Sequence, residues 1–530
     1  MRIGVLLIAL CLSVGFVYAQ DSTSKSYIFV RQAERLRLQK IDSLTELNTA
    51  AGNVFCEQGR TKFYCDSVVI NRYTNELQAF GKVHINDADS VHIYGDYLQY
   101  FGKTKQAVVN GNVKLSDGKG TLYTQNLTYD AVNKTGVYKN GGRLVNKGTV
   151  LTSDEGVYNG ELRDVLFRKN VRLKDPNYNL TADSLLYNTY TDIATFITKT
   201  TIKNADQVVI TQSGYYDLKN KKSYFAQRPI IKDGSTTLIA DETASDEATG
   251  FAEARGTVIL KDTAEGTVIY AGNIKTNKKE KTFLATQNPV AALKQETDSL
   301  FIAADTLFSG LLSNLVGYKP VTNITSDTLA FISKAMALAD SNRNRYLEAY
   351  YHVKIYSDSL QAVCDSMFYT TYDSAFRLLT QPLAWAQGNQ VKGDTMYVFT
   401  KNKQPLSLKV FENALAINKA QAGFLNQIKG RTINGTFKDG VIHFLRAKGA
   451  AESVYYPEDE NKKLIGVNKL SSDAIEVYFV NQKPERIKTI RDVKGKMYPI
   501  RQADHAKLML RGVKWEAERQ PTSKKSLFKQ

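Results

Sequence analysis

The chain has 530 residues, of which 43% are hydrophobic, 10% aromatic and 23% charged, a composition that supplies a sizeable core and excludes a disordered or collagen-like chain. Pro is scarce (10), while Tyr (30) and Phe (23) outnumber the two Trp; with many Thr and Val, this favours strands over helices. The net charge of +17 speaks for partners bearing phosphate groups, a membrane surface or another anionic polymer, and says nothing of the fold.

The first residues predict export. Met1-Arg2, an apolar run from Ile3 to Val17, and Val17-Tyr18-Ala19 before Gln20-Asp21 have the layout of a secretory signal peptide over 1–19. The run is shorter than the ~20 residues a spanning helix needs. Cys11 follows Leu10, where a lipoprotein site wants a small residue. An exported, soluble mature chain is expected, with at most a peripheral attachment to the outer membrane. Cys56, Cys65 and Cys364 then remain, an odd number at spacings unlike those of a metal site. A bridge between Cys56 and Cys65 stays open at this point, with small buried strand residues the favoured reading.

A repeat follows. An acidic or polar residue is followed two and four positions later by apolar ones, as in Asp66-Ser67-Val68-Val69-Ile70 and Asp96-Tyr97-Leu98-Gln99-Tyr100. From 96 the pattern recurs at Gln125, Asp154, Asp183, Gln212 and Asp241, every step being 29 residues. Looser copies start at Gly272, Asp305, Asp327, Asp365 and Asp394, with Glu34 an earlier and Asp473 a late copy. Fifteen residues past the anchor comes a turn-like position (Gly81, Gly111, Asn140, Lys169), and then a hairpin. Examples are Val83-His84-Ile85 to Val91-His92-Ile93 around Asn86–Ser90, and Val171-Arg172-Leu173 to Leu180 around Lys174–Asn177. Period-two alternation on both arms predicts antiparallel strands with one apolar face. Val258 and Leu260 leading to Val268 and Tyr270 belong to the same series. Apolar residues three before and two after the anchor are out of phase for one strand, so the chain must bend there. The anchoring Asp is read as scaffold that satisfies backbone groups at the bend. No repeat can bury its apolar face alone; stacked repeats share one core in an elongated body. The repeats fall into blocks at 20–255, 256–410 and 411–500, with a basic tail at 501–530.

Motifs for chemistry are missing. His84, His92, His352, His443 and His505 form no H-E-x-x-H and no Cys/His cluster. His84 and His92 occupy matching positions on a hairpin, and a solvated face is the default reading. No nucleophile elbow, phosphate loop or dinucleotide fingerprint occurs. Basic residues are dispersed among the strands, which speaks against nucleic acid. No catalytic residue, metal or cofactor is expected.

Tyr94-Gly95-Asp96-Tyr97-Leu98-Gln99-Tyr100, Thr181-Ala182-Asp183-Ser184-Leu185-Leu186-Tyr187, Ala79-Phe80-Gly81-Lys82-Val83 and Ala252–Val258 resemble the alternating half-units of the OstA/LptA-like family of periplasmic lipopolysaccharide-transport proteins. The resemblance covers about residues 27–400. It implies an all-β jellyroll of stacked antiparallel strands, here two or more fused blocks, with acyl chains of lipopolysaccharide or a similar glycolipid inside. It also implies envelope lipid-transport partners at the inner and outer membranes, and head-to-tail self-association. The chain is longer than a one-domain shuttle and shows no strand series for a membrane barrel after Asp394.

Hiding an acyl chain is worth ~0.8 kcal/mol per CH₂. The candidate trough contacts are the inward positions Val68, Ile70, Val83, Ile85, Val91, Ile93, Leu98, Val113, Leu115, Leu122, Leu127, Val171, Leu173, Leu180 and Leu185. Two other classes remain: an exported structural or adhesive repeat protein with a sealed core, and a polysaccharide-acting parallel β-helix enzyme. The hairpins at Asn86–Ser90 and Lys174–Asn177 argue against the latter.

Overall fold

The computed structural model describes residues 27–42, 45–294, 299–318, 321–322, 330–331, 344–401, 404–461, 463–481 and 483–528. The signal-peptide expectation lies outside them. Elements are almost all strands. Among the described residues only short helical turns occur, the longest spanning four residues at His505–Leu508 and Lys524–Leu527. Contacts divide the chain at Lys169/Asn170 into two bodies, described separately here.

In the N-terminal body, β1 (Phe29–Gln32) and β2 (Arg35–Lys40) both pair with β3 (Glu46–Gln58). Antiparallel pairing then runs strictly from neighbour to neighbour through β4 (Thr61–Asn71), β5 (Glu76–Asp87), β6 (Val91–Phe101), β7 (Gln106–Ser116) and β8 (Thr121–Asp130). The predicted hairpin at Asn86–Ser90 is present, its turn at 88–90.

Each long strand is bent near its middle. Register shifts fall between Ala51 and Val54, Phe80 and Val83, and Asn110 and Val113. Two successive residues there have positive φ: Gly81 (71°) with Lys82 (45°), and Gly111 (75°) with Asn112 (46°). The glycines read as turns from sequence are therefore corners inside strands: Gly81 lies within β5 and Gly111 within β7. A turn and a bulge both need left-handed backbone, so the residue type alone does not separate them. After the corner the strand continues in a second layer. The inner faces of the two layers meet, Phe63 of one touching Tyr100 of the other with ring centroids 4.6 Å apart.

The anchors stand opposite these corners. An added Cβ on Gly81 would meet Asp66 Oδ2 at 2.5 Å, and one on Gly111 would meet Asp96 Oδ2 at 2.5 Å. Asn112 Nδ2 donates to Asp96 Oδ2 (2.8 Å), and Asn53 Nδ2 donates to Glu34 Oε1 (2.7 Å). The same device recurs in the C-terminal body. The Thr257 backbone N–H donates to Asp241 Oδ2 (2.9 Å), and Asn413 Nδ2 to Asp394 Oδ2 (3.0 Å). These contacts give the acidic anchors a scaffold role, and the one extra residue of each bulge comes from the neighbouring strand rather than from the anchor's own.

The C-terminal body repeats this plan from Asn179–Asn188 to Lys494–Pro499. Its interior is one apolar cluster running from Ala240 to Val477. Small residues such as Ala254, Ala349, Ala414, Ala447 and Ala451 lie beside the corners of this core, where the layers converge and leave room for little more than a methyl group. That taper gives the A-x-G-x-V half-unit a physical reason. Two details differ from the sequence reading. Ile269, not Val268 or Tyr270, joins the core, because Leu260 pairs with Ile269. Residues 501–528 form a strap on the outer face of this body. Leu508 and Leu510 pack on Val454 and Val467, Trp515 on Trp385, and Leu527 on Val290 and Ala303. Buried Gln390 ties the strap down, accepting from Glu516 N (2.8 Å) and donating to Lys514 O (2.7 Å).

Candidate functional site

The bent strands give each repeat a wedge-shaped cross-section. One side is the row of corners, where the chain itself joins the layers. The other side is a pair of lips where the chain turns back. In the N-terminal body one lip carries the turns at 59–60, 88–90, 117–120 and 147–148; the other carries those at 72–75, 102–105, 131–134 and 160–163.

All fifteen candidate contacts point into this wedge. Val68, Ile70, Leu98 and Leu127 lie on the anchor layer of the N-terminal body. Val83, Ile85, Val91, Ile93, Val113, Leu115 and Leu122 lie on its hairpin layer, and every one of these eleven is at most 2% exposed. In the C-terminal body, Val171, Leu173, Leu180 and Leu185 are buried likewise, Leu180 at 4% being the most exposed of the fifteen. Within each body these positions line an apolar interior. Near the last strands of the C-terminal body it holds an apolar cavity of 80 Å³ bordered by Ile428, Leu445, Ile475, Phe479 and Ile487.

The lips are joined by side chains, a feature the sequence reading missed. Tyr100 Oη donates to Gln58 Oε1 (2.7 Å), and Gln58 Nε2 donates to Gly102 O (2.9 Å). Tyr129 Oη donates to Asp87 Oδ2 (2.8 Å), whose other oxygen accepts from Thr61 Oγ1 (2.9 Å). Tyr158 lies near Asp117, but its buried hydroxyl has no hydrogen-bond partner. These tyrosines are each at most 1% exposed. Burial pushes all three hydroxyls above the ordinary phenol range, and neighbouring carboxylates add to the effect, so they stay neutral. They are the residues four past the anchors, read from sequence only as apolar. The signal that could have found them is the repeated Tyr100, Tyr129, Tyr158 at steps of 29.

In the C-terminal body Tyr178 and Tyr216 both donate to Glu247 Oε1, the latter at 3.1 Å. Beside them lies a polar cavity of 630 Å³ lined by Asn177, Tyr178, Asn204, Lys221 and Glu247. The lip turns are rich in cations: Arg60, Lys119 and Lys147 on one lip of the N-terminal body, and Arg72, Lys103, Lys105, Lys134 and Arg163 on the other.

Other candidates stay minor. Cys56 and Cys65 are free and buried. Cys56 pairs with Phe63 and Cys65 with Val54, so the two are out of register for a bridge. His84 Nε2 and His92 Nδ1 are 3.1 Å apart, between stacked Tyr64 and Tyr94. Among the described residues no group of three or more His, Cys, Asp or Glu could hold a metal ion, and no helix is long and apolar enough to cross a membrane.

Fold and interior together define a β-jellyroll with an apolar core. Residues 25–183 match the profile of the family described as OstA-like protein. Among solved structures, the chain is similar to LptH of Pseudomonas aeruginosa, titled as the LptA-homologous periplasmic component of the lipopolysaccharide transport device. The identity is 16%, over 27% of this chain and 84% of that one, with a TM-score of 0.14. No curated protein matches.

Proposed function

We propose that the chain is a non-enzymatic carrier that holds the acyl chains of lipopolysaccharide, or a related lipid A-type glycolipid, between its two layers and helps move it across the periplasm. The observation that supports this reading is the apolar interior of the N-terminal body, bounded at the lips by cationic turns. Acyl chains belong between the layers, and Lys and Arg at the lips meet phosphates. An OstA-like stretch and a fold like that of a periplasmic transport component point the same way. Export, envelope transport partners at both membranes and head-to-tail self-association belong to the same proposal.

One observation favours a second reading, a sealed structural repeat: the inward positions are as fully buried as in any closed β core. A photoreactive residue at Ile93 or Leu185, activated in cells, separates the two. A lipid adduct at both supports the carrier. Adducts confined to protein at both positions, in a chain that stays folded, sink it.

A further inference from the structure

The two long sides of the wedge are unlike each other. On the corner side, every strand runs through from one layer to the other. On the lip side the chain turns back, and the layers are held by the tyrosine bonds to Gln58 and Asp87. A core that never opens has no need of polar groups there; leucines would fill the mouth without the cost of burying a carboxylate. A Tyr–acid pair behaves differently from packed methyl groups. Closed, both partners are satisfied. Parted, both turn to water or to a polar ligand, so the open form leaves no orphaned group. The latch recurs one 29-residue step along the seam, so one rung can open while the other holds.

We propose that this seam is a sideways loading gate, through which an amphiphile slides its acyl chains between the layers while its anionic headgroup stays outside among the lip cations. The proposal rests on the carrier reading above and adds the route and the residues that control it. The polar 630 Å³ cavity beside Tyr178 and Glu247 is the kind of space a phosphorylated sugar headgroup occupies at such a mouth. Tyr100 and Tyr129 are positioning residues: they hold the gate and need not touch the acyl chains.

Two arms test this on the full-length chain. In the first, Asp87→Cys with Tyr129→Cys is bridged by a cleavable thiol-to-thiol crosslinker, and uptake of fluorescent lipid A is followed. Uptake that falls at least tenfold on bridging and returns on cleavage supports the gate. Uptake at the unbridged rate means entry by the ends and overturns it. The second arm uses no lipid. Cys56 lies inside the wedge, on the same face of β3 as Gln58, and reports opening through its rate of maleimide labelling. Tyr100→Phe keeps the ring and removes only the hydroxyl. Labelling several-fold faster than in the parent chain supports the latch, and an unchanged rate overturns it. If the parent chain takes up no lipid A at all, the carrier reading and the loading role fall together; the labelling arm still decides whether the seam opens.

Discussion

The corner of β7 offers a quantitative test of the scaffold, with Gly111→Ala as the perturbation. Gly111 has φ of +75°, and an added Cβ would meet Asp96 Oδ2 at 2.5 Å and Asp96 Cβ at 3.0 Å. Left-handed backbone costs an alanine ~1–2 kcal/mol. The carboxylate must also swing away and give up the Asn112 bond of 2.8 Å, which at an exposed site is worth ~1 kcal/mol. Asp96→Ala alone loses only that bond, about 1 kcal/mol. The double variant suffers the backbone cost and one lost bond, not two, so it should cost about 1 kcal/mol less than the sum of the single effects. Hydrogen exchange at the amides of β6 and β7 is the appropriate readout, because a chain of two bodies does not unfold in one step. Additivity within ~0.3 kcal/mol would refute the idea that Asp96 and Gly111 act as one unit. So would an Asp96→Ala variant as well protected as the parent, the outcome expected of a carboxylate kept for ligand chemistry.

Three further outcomes are expected. Burial pushes the Cys56 and Cys364 thiols up to about 12 and Cys65 to about 11, from 9.0. The folded state disfavours the thiolate, so the stability these groups lend is intact below pH 9 and drains away as pH rises towards 12; iodoacetamide at pH 8 should label all three far more slowly in the native chain than after denaturant is added. Leu527 is 1% exposed beneath the strap, so Leu527→Ala should cost ~2–3 kcal/mol of strap docking, seen as faster proteolysis after residue 500, and an unchanged digest would argue against the docked tail. β1 pairs with β3 alone and Phe29 is half exposed, so Phe29→Pro should leave the fold intact and abolish self-association or capture of an envelope partner; undiminished association would remove β1 as a docking edge.

The repeat was legible because its step is constant and its alternation clean wherever one face of the strand meets solvent. In β6, Ile93 and Leu98 are buried while Tyr94 and Asp96 are exposed, and the pattern shows it. From about residue 260 onward the alternation fades, and the strap explains why. Val290 and Ala303 face outward but lie under Leu527, and Leu383 and Trp385 lie under Trp515. Both faces of those strands are therefore apolar. Period two disappears from the sequence, and with it the means to choose between Val268 and Ile269 as the inward residue. What the sequence shows as a basic tail is the cause of the irregularity upstream of it. Its positive charges give no hint of docking, because Lys514 and Arg519 pair with Glu518 and Glu516 within the tail, while Glu516 also meets Lys392 of the sheet at 3.2 Å.

The seam was invisible for a different reason, and its arithmetic shows how the repeats are held in line. Gln58 and Tyr100 are 42 residues apart, as are Asp87 and Tyr129, an interval longer than one 29-residue step. A hairpin therefore does not latch to the anchor arm of its own repeat, or of the next. Gln58 follows the anchor Glu34 and reaches past the repeat anchored at Asp66 to the one anchored at Asp96. Asp87 follows Asp66 and reaches past Asp96 to the repeat anchored at Gln125. The stitches run diagonally, as twisted layers require when one is sheared against the other. Backbone ladders fix each repeat to its neighbour along a layer, and the diagonal tyrosines fix the two layers against sliding. One broken rung then opens a local gap while the other rung and the backbone ladders keep the register, which is the mechanical condition for the proposed entry from the side without melting the array.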